Sequence, residues 1–473
     1  MGDTEVRELV VIGGGPGGYP AAFYAADLGM DVTLVDLEAT PGGACLYRGC
    51  IPSKALLHAA AVIREARAAE AYGIAFGAPA LNVERLRSWK QSVVTQLTEG
   101  LRQLAQARKV RVIQGRARFA DAATLTVAKA DGSEERLRFK AAILATGAQP
   151  QRLPLAPDSP RVMDSTGALA LEDIPARLLV IGGGYIGLEL GQAYAAFGSK
   201  VSVVEMLPAL MAGADPDLVL PLAARLKEQF EEIMLETRVL AIEAGDLQVT
   251  VRLADQAGQE RTETYDRVLV SVGRRPNTHD LGLEHTRVQL DEKGFVVVDE
   301  QRRTAEPAIF AIGDIAGQPM LAHKATYEGK VAVEAIAGRK SVYAPRAIPA
   351  VVFTQPEIAW TGLTEREAGA QGLAITVSKF SWSASGRAAT LGGSDGLTKL
   401  ITEKESGRVL GVGLTGPGAG ELIAEGTLAI EMGAVAEDLA QTVHAHPTLS
   451  ETVMEAAEQA AAGYATHVFK RPV

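Results

Sequence analysis

Two copies of one short pattern occur in the chain, and this duplication constrains the fold more than any other feature. Each copy has an apolar run (residues 9–12 and 178–181), a Gly-x-Gly-x-x-Gly fingerprint, a helical stretch, and a second apolar run that ends in an acid, Asp36 or Glu205. The fingerprint glycines are Gly13, Gly15 and Gly18 in the first copy, and Gly182, Gly184 and Gly187 in the second. This order is typical of a dinucleotide-binding βαβ unit. We therefore predict an α/β protein with two Rossmann-like dinucleotide-binding domains.

The acid that ends each unit is expected to contact the ribose of a bound nucleotide. Asp36 and Glu205 each follow the last fingerprint glycine by 18 residues, where a carboxylate can accept a hydrogen bond from a ribose hydroxyl. No Lys or Arg occurs between Lys200 and Arg225, so no nearby cation could bind a 2′-phosphate. The second unit is therefore predicted to bind NAD rather than NADP.

Glycine-terminated strands and proline-rich joints predict the domain organisation. Three further predicted strands, at 142–146, 268–272 and 309–312, each end at a glycine. Proline-rich joints lie near residues 149–160 and 345–349, and no glycine fingerprint follows a strand beyond about residue 346. A chain of 473 residues is long enough for about three domains. The predicted divisions are residues 1–150, 151–276, 277–345 (a segment that completes the first domain) and 346–473, a C-terminal α+β domain.

Composition excludes several classes of protein. Lys plus Arg is 47 and Asp plus Glu is 57, a net charge of −10, and there is no basic tail, so nucleic-acid binding is not expected. The chain has no stretch of 18 apolar residues that would span a membrane. The N-terminus lacks the pattern of a signal peptide. We expect a cytoplasmic protein, or the mature form of an organelle protein.

The only two cysteines, Cys45 and Cys50, lie five residues apart. They are too few for a disulfide scaffold, and no further ligands follow at zinc-site spacing, so no metal site is predicted. Pro52 is predicted to be the first residue of a helix, whose dipole would stabilise a thiolate at its N-terminus. Either the cysteines are small buried hydrophobic residues, or they form a redox couple. Two nucleotide fingerprints favour the redox couple, because nucleotides would carry its electrons.

The segment GGACLYRGCIPSK, residues 42–54, closely resembles the active-site motif of the FAD-dependent pyridine nucleotide–disulfide oxidoreductases. The resemblance extends over nearly the whole chain. Its further motifs are ATG at 145–147, GGGYIGLELG at 182–191, GRRPN at 273–277, AIGDI at 311–315, MLAHKATYEG at 320–329 and HAHPTLSE at 444–451. It implies that the first unit binds FAD, that the second binds NAD, and that the C-terminal domain forms the interface of a homodimer.

Within this family the chain most resembles the members that oxidise protein-bound dihydrolipoyl groups and reduce NAD. That resemblance implies partners among the lipoyl-bearing acyltransferase or carrier proteins of 2-oxo acid dehydrogenase or glycine cleavage systems. It also implies that Cys50 is the thiolate beside the flavin and that Cys45 exchanges with the substrate. His446 would be the base, supplied by the other subunit, and Glu451 would orient it.

The resemblance also assigns cofactor contacts. The implied FAD-binding residues are Gly13, Gly15, Gly18, Asp36, Lys54, Gly115, Thr146, Gly147, Asp314, Ala322 and His323. The implied NAD-binding residues are Gly182, Gly184, Gly187, Glu189, Glu205 and Gly273. Lys54 and Glu189 are expected to form an ion pair beside the flavin ring. Asp36 departs from the family, which usually has Glu at this position, but the charge is kept.

Several alternatives remain open at this point. Thr448 to Glu451 is a capping-box pattern, so Glu451 could simply close the start of a helix. We expect that one carboxylate cannot make full hydrogen bonds both to a cap and to His446. His446 could be a core histidine before a proline, and His444 has no assigned role. The protein could also reduce a different disulfide, or serve as a flavin-bearing scaffold subunit.

Overall fold

The computed structural model describes residues 6–468, and residues 1–5 and 469–473 of the first and last predicted domains lie outside the described residues. The strands are β1 (Val6–Ile12), β2 (Val32–Asp36), β3 (Arg111–Gln114), β4 (Arg116–Asp121), β5 (Thr124–Ala128), β6 (Glu134–Leu144), β7 (Ala148–Pro150), β8 (Val162–Met163), β9 (Arg177–Ile181), β10 (Lys200–Val204), β11 (Glu232–Met234), β12 (Arg238–Ala244), β13 (Val249–Ala254), β14 (Glu260–Tyr265), β15 (Arg267–Val270), β16 (Arg274–Pro276), β17 (Ile309–Ala311), β18 (Ala350–Val352), β19 (Ile358–Gly362), β20 (Ile375–Ser381), β21 (Leu397–Glu403) and β22 (Val409–Thr415). The helices are α1 (Gly18–Asp27), α2 (Gly43–Arg48), α3 (Cys50–Ala68), α4 (Val83–Ala107), α5 (Ser165–Ala170), α6 (Tyr185–Phe197), α7 (Pro216–Gln229), α8 (Ala322–Ile336), α9 (Glu365–Ala370), α10 (Gly386–Thr390), α11 (Ala419–Met432), α12 (Ala436–Gln441) and α13 (Glu451–Ala462).

The first sheet contains the first fingerprint and a strand from the central segment. Strands β3, β2, β1 and β6 run parallel in that order, and β17 pairs in parallel with the other side of β6. The side chains of Leu9, Val10 and Val11 in β1 are fully buried, as expected for a parallel strand covered on both faces. The chain therefore returns to its first sheet after residue 300, and α8 packs against α1.

Strand β6 is longer than predicted. The apolar run predicts a strand at 142–146, but β6 begins at Glu134 and ends at Leu144. Its first half alternates exposed and buried residues and pairs antiparallel with β5, whereas its second half is buried and pairs with β1 and β17. The prediction relied on a continuous apolar run, so it missed the half of the strand that has one face in solvent.

The second sheet repeats the first unit. Strands β11, β10, β9, β15 and β8 are all parallel, and α6 follows β9 as α1 follows β1. Helix α1 begins at Gly18, the last glycine of its fingerprint, and α6 begins at Tyr185, two residues before the last glycine of the second. The last part of each fingerprint is therefore already the first helical turn, where backbone N–H groups are free to bind an anion.

The C-terminal part forms an antiparallel sheet in the order β18-β19-β22-β21-β20, covered by α11 and α13. The predicted α/β class, with two Rossmann-like units and a C-terminal α+β unit, is confirmed. Among residues 6–468, no helix has both the length and the apolar character that crossing a membrane requires.

A buried lysine joins the second sheet's domain to the C-terminal sheet. Lys399 in β21 is 1% exposed, and its Nζ lies 2.8 Å from Asp215 Oδ2 and 3.0 Å from Asp217 Oδ1, with Glu365 as a third partner. The carboxylates stand at the start of α7 and of α9. Because all three converge on one ammonium group, removing it leaves several carboxylates close together with reduced compensation.

We predict that Lys399→Met lowers the free energy of unfolding by about 3–5 kcal/mol, the usual cost of removing one partner from a buried ion pair. Calorimetric or denaturant unfolding measures this change. Lys140→Met is the matched control, because Lys140 is 66% exposed and lies 3.6 Å from Glu8. A loss for Lys399→Met no larger than for the control would show that the network does not hold these domains together.

Candidate active site

Each fingerprint begins with a glycine that no other residue could replace. Gly13 has φ +105° and Gly182 has φ +109°, and a Cβ on either would overlap the carbonyl group of a neighbouring strand end, Ala145 or Ser271. The two turns are therefore pressed against the adjacent strand in the same way. This contact fixes the path of the chain into α1 and α6.

The middle glycines face open space. A Cβ on Gly184 would meet nothing within 4 Å, and a Cβ on Gly15 would meet only Gly43 Cα, at 3.9 Å. In both turns a concave surface of backbone therefore stands open at a helix N-terminus. Such a cradle fits the pyrophosphate of a dinucleotide, so the residues present fit the two nucleotides that the sequence predicts.

The acid of each unit is bonded to its own glycine turn. Asp36 Oδ2 accepts a hydrogen bond from Gly14 N, and its Oδ1 accepts one from Glu38 N at 2.7 Å. Glu205 Oε2 likewise accepts from Gly183 N at 2.6 Å. Burial raises the pKa of Asp36, and the two backbone hydrogen bonds oppose that rise. Both acids thus lie at the cradle, where the remaining lone pairs of each carboxylate can accept from a ribose.

A cavity of about 750 Å³ runs from the first fingerprint to the two cysteines. The predicted FAD-binding residues in its wall are Gly13, Gly15, Asp36, Lys54, Gly115, Thr146, Gly147, Asp314 and Ala322. Gly18 is packed against the Gly13 carbonyl, and His323 Nε2 lies 2.7 Å from the Pro349 carbonyl oxygen, so neither belongs to this wall. Of the predicted NAD-binding residues, Glu189 lines this cavity, whereas Gly182, Gly184, Gly187, Glu205 and Gly273 do not.

Among the wall residues that were not predicted as contacts, Arg274 and Asn277 lie in the GRRPN motif. Asn277 Nδ2 donates to the Thr146 carbonyl at 2.9 Å, and Thr146 Oγ1 donates to the Asn277 carbonyl at 2.8 Å. Arg274 also lines the cavity, as does Tyr185. Burial raises the pKa of Asp314, and the Arg274 guanidinium opposes that rise. The GRRPN motif marked Asn277 and Arg274 as candidate site residues, but the sequence alone does not show that they line the cavity.

The two thiols occupy consecutive helices at one end of the cavity. Cys45 is in α2 and Cys50 is the first residue of α3, and both are free thiols. The prediction that Pro52 begins this helix is wrong by two residues, because the helix starts directly after Gly49. Cys50 is therefore itself in the first turn, where helix N–H groups and dipole favour a thiolate.

The thiols have different acidities. A hydrogen bond from the Cys45 thiol lowers the pKa of Cys50 to about 7, and the Lys54 ammonium adds to this effect, while burial and Glu189 oppose it. The same hydrogen bond, together with burial, raises the pKa of Cys45. Near neutral pH the pair therefore carries its negative charge on Cys50.

Lys54 and Glu189 form the expected ion pair. Lys54 Nζ lies 2.7 Å from Glu189 Oε2, and both side chains line the cavity. Ser53 Oγ donates to the same carboxylate oxygen at 3.1 Å, and Phe353 N donates to the other oxygen at 2.9 Å. The ammonium group also lies 4.3 Å from the centre of the Phe353 ring.

His446 and Glu451 are paired, but away from the thiol cavity. His446 Nδ1 lies 2.8 Å from Glu451 Oε1, the His446 side chain is 80% exposed, and neither residue lines the cavity. The other oxygen, Oε2, accepts from Thr448 N at 2.8 Å. We expected that this carboxylate could not bond fully both to a helix cap and to His446. That expectation is wrong, because Oε1 bonds to His446 and Oε2 accepts from Thr448 N.

The helix start at Glu451 also differs from a complete capping box. Thr448 N donates to Glu451, but the Thr448 hydroxyl donates to the Ala445 carbonyl at 2.6 Å and does not accept a hydrogen bond from the N–H of Glu451. Helix α13 begins at Glu451 with Ser450 before it. One half of the capping box is present, so Glu451 both closes the helix start and holds the His446 ring.

Known families match both parts of the chain. Residues 7–329 match the model described as pyridine nucleotide-disulphide oxidoreductase, and residues 348–457 match the dimerisation domain of the same family. Two curated relatives named dihydrolipoyl dehydrogenase are similar over nearly their full length: that of Vibrio cholerae is 48% identical (95% of this chain, 95% of the relative) and that of Geobacillus stearothermophilus is 46% identical (97% of each).

A solved structure shows the same architecture. The crystal structure of LpdA from Mycobacterium tuberculosis is 28% identical, superposes with a TM-score of 0.89, and is covered over 99% of its length by 96% of this chain. The resemblance inferred from the motifs is thus confirmed, as are the enzyme class and the FAD and NAD cofactors. The chain belongs to the pyridine nucleotide–disulphide oxidoreductases, a family of enzymes that use FAD and a nicotinamide nucleotide.

Proposed function

We propose that this enzyme oxidises dihydrolipoyl groups on carrier proteins and reduces NAD. The observation that carries the proposal is the combination of a thiol pair on the wall of a dinucleotide-type cavity with relatives of 42–48% identity, all named dihydrolipoyl dehydrogenase, that match over 94–100% of their own length. The partners are lipoyl-bearing acyltransferases or carrier proteins of 2-oxo acid dehydrogenase or glycine cleavage systems. The low cysteine content favours action in a reducing compartment, the cytoplasm.

The working unit is a homodimer in which His446 of one subunit serves the thiols of the other. His446 stands outside the wall of its own subunit's thiol cavity and is largely exposed, although a base must reach the substrate thiol. The C-terminal part also carries large apolar side chains in solvent, which a second subunit would cover: Leu428, Met432, Val443 and Tyr464. Burial of apolar side chains favours association.

The protein's own groups account for the thiol chemistry. His446 Nε2 accepts the proton of one substrate thiol, and Glu451 at Nδ1 stabilises the imidazolium that results. The substrate thiolate attacks Cys45 of the oxidised Cys45–Cys50 pair, so that a mixed disulfide forms on Cys45 and Cys50 leaves as a thiolate. The second substrate thiol then attacks the mixed disulfide and gives its proton to the departing Cys45 sulfur, so that the lipoyl disulfide is released and Cys45 is left as a thiol, in keeping with its raised pKa. The lowered pKa of Cys50 makes it the better leaving group.

The residues that would hold the cofactors divide between the two units. Gly13, Gly15, Asp36 and Asp314 would hold FAD in the cavity, while Gly182, Gly184 and Glu205 would hold NAD. Bound FAD would supply the electron carrier between the dithiol and the nicotinamide. Lys54 and Glu189 would keep a balanced pair of charges beside it.

We predict that Cys45→Ser abolishes reduction of NAD by dihydrolipoamide, because the mixed disulfide has no other sulfur to form on. Oxidation of NADH by ferricyanide, an acceptor that needs no thiol, should persist and serves as the control for folding. Full dihydrolipoamide activity in this variant would refute the dithiol route. If the unmodified enzyme reduced another disulfide with NADPH more efficiently, the alternative reductase function would be correct.

We predict that Lys54→Met raises the pKa of Cys50 from about 7, because the variant loses a cation that stabilises the thiolate. The measurement is the pH dependence of alkylation of the Cys50 peptide in the reduced holoenzyme, followed by mass spectrometry. Lys54→Arg keeps the charge and should keep the midpoint near its original value. If the midpoint of Cys50 alkylation is unchanged in Lys54→Met, Lys54 does not lower the pKa of Cys50.

We predict that Glu205→Gln reduces the preference for NAD over NADP, because it removes the charge that repels a 2′-phosphate while an amide oxygen can still accept from Gly183 N. The ratio of kcat/KM for the two nucleotides is the measurement. Glu228→Gln, at an exposed position in α7, is the control and should leave the ratio unchanged. If the ratio of kcat/KM for NAD and NADP is the same in Glu205→Gln and in the control, Glu205 does not determine which nucleotide the enzyme prefers.

A further inference from the structure

A second histidine–glutamate pair lies two residues before His446. The His444 side chain is 5% exposed, and its Nε2 lies 2.7 Å from Glu425 Oε1 in α11. Its Nδ1 lies 2.8 Å from the Thr442 carbonyl oxygen. Both ring nitrogens are thus engaged within their own chain, so His444 is not placed to take a proton from a substrate.

The His444 contacts require one proton beyond those of a neutral ring and a carboxylate. A carbonyl oxygen only accepts hydrogen bonds, so the Nδ1 that faces Thr442 carries a hydrogen. In a neutral ring Nε2 is then an acceptor, and it cannot bond to an ionised carboxylate. The 2.7 Å contact therefore needs a further proton, on the ring or on Glu425. With that proton on the ring, the contact is a charge-assisted hydrogen bond, which is stronger than a neutral one.

The segment that carries His446 has few other attachments. Within residues 6–468, no backbone–backbone hydrogen bond involves any of residues 443–448. The side-chain hydrogen bonds of Thr442 and Thr448 stay within four residues along the chain. Among the hydrogen bonds described for this segment, the His444–Glu425 bond is the one that reaches an element distant in sequence, 19 residues away.

We propose that the His444–Glu425 pair is a positioning device that holds the segment carrying His446 against α11. It rests on the proposed function, in which His446 is the base. The two glutamates have different roles. Glu451 orients the His446 ring, whereas Glu425, through His444, fixes the position of the main chain that carries His446. A general base is effective only at hydrogen-bond distance from its proton, so a displacement of about 1 Å can cost about 100-fold in rate.

The charged groups around the pair agree with this role. Glu425 faces His444 from α11, and Glu451 of α13 interacts electrostatically with both His444 and His446. Burial opposes ionisation of Glu451, but the Thr448 N–H and the two histidines keep the pKa of this carboxyl below its usual range. His444 therefore also helps keep Glu451 in the charged form that stabilises an imidazolium at His446.

Glu425→Ala and Glu425→Gln test the proposal in the dimeric holoenzyme. Reduction of the bound flavin is measured in rapid mixing, once with dihydrolipoamide and once with NADH. We expect Glu425→Ala to slow the dihydrolipoamide reaction about 10- to 100-fold and to leave the NADH reaction within about twofold. Glu425→Gln should restore the dihydrolipoamide rate to within about threefold, because its amide N–H can donate to the Nε2 of a neutral His444 ring.

Controls separate positioning from a structural defect and from failure of the proposed function. Glu437→Ala removes another glutamate of the same domain, hydrogen-bonded to Gln441 at 2.8 Å, and should change neither rate. His446→Gln sets the scale for loss of the base, about 100- to 10,000-fold. Equal losses with both reductants, loss of the dimer, no loss in Glu425→Ala, or no rescue by Glu425→Gln would each overturn the inference. An unmodified enzyme that reacts with NADH but not with dihydrolipoamide would instead reject the proposed function.

Discussion

The arrangement of the active site depends on the carboxylate of Glu189. One of its oxygens accepts hydrogen bonds from Lys54 Nζ and Ser53 Oγ, and the other accepts one from Phe353 N. A buried carboxylate is costly unless cations and donors compensate it fully. Here the donors come from α3, the helix that begins with Cys50, and from the beginning of the C-terminal domain, while Glu189 itself belongs to the second βαβ unit. A single buried charge thereby holds three parts of the chain in one relative position.

This interaction also sets the electrostatics of the thiols. Lys54 favours the Cys50 thiolate, and Glu189 disfavours it. A free ammonium group at this place would acidify Cys50 more strongly, but it would also leave an uncompensated cation in the cavity wall. The ion pair instead gives a thiol whose pKa lies near neutrality, at about 7. Such a thiol is both a competent nucleophile and a good leaving group in exchange.

The duplicated units have kept their geometry and diverged in their surroundings. The same distance of 169 residues separates Gly13 from Gly182 and Asp36 from Glu205. In both units the acid accepts a hydrogen bond from the N–H of the residue that follows the first fingerprint glycine, Gly14 or Gly183. The first unit opens into the cavity that contains the thiols, whereas the fingerprint of the second lies outside that cavity. One local structure thus serves two nucleotides because different neighbours surround it.

Short-range patterns of the sequence determined the two βαβ units, the thiol pair and the half-capping box at Glu451, because glycine conformation, apolar runs and helix starts depend on neighbouring residues. The tertiary structure alone decided which distant groups meet. Strand β6 extends back to Glu134 because β5 provides hydrogen-bonding partners for its first half. Glu425 contacts His444 because α11 lies beside the segment that follows α12. The energy of such contacts arises only after the chain has closed the loops between them, so no local pattern records the partner.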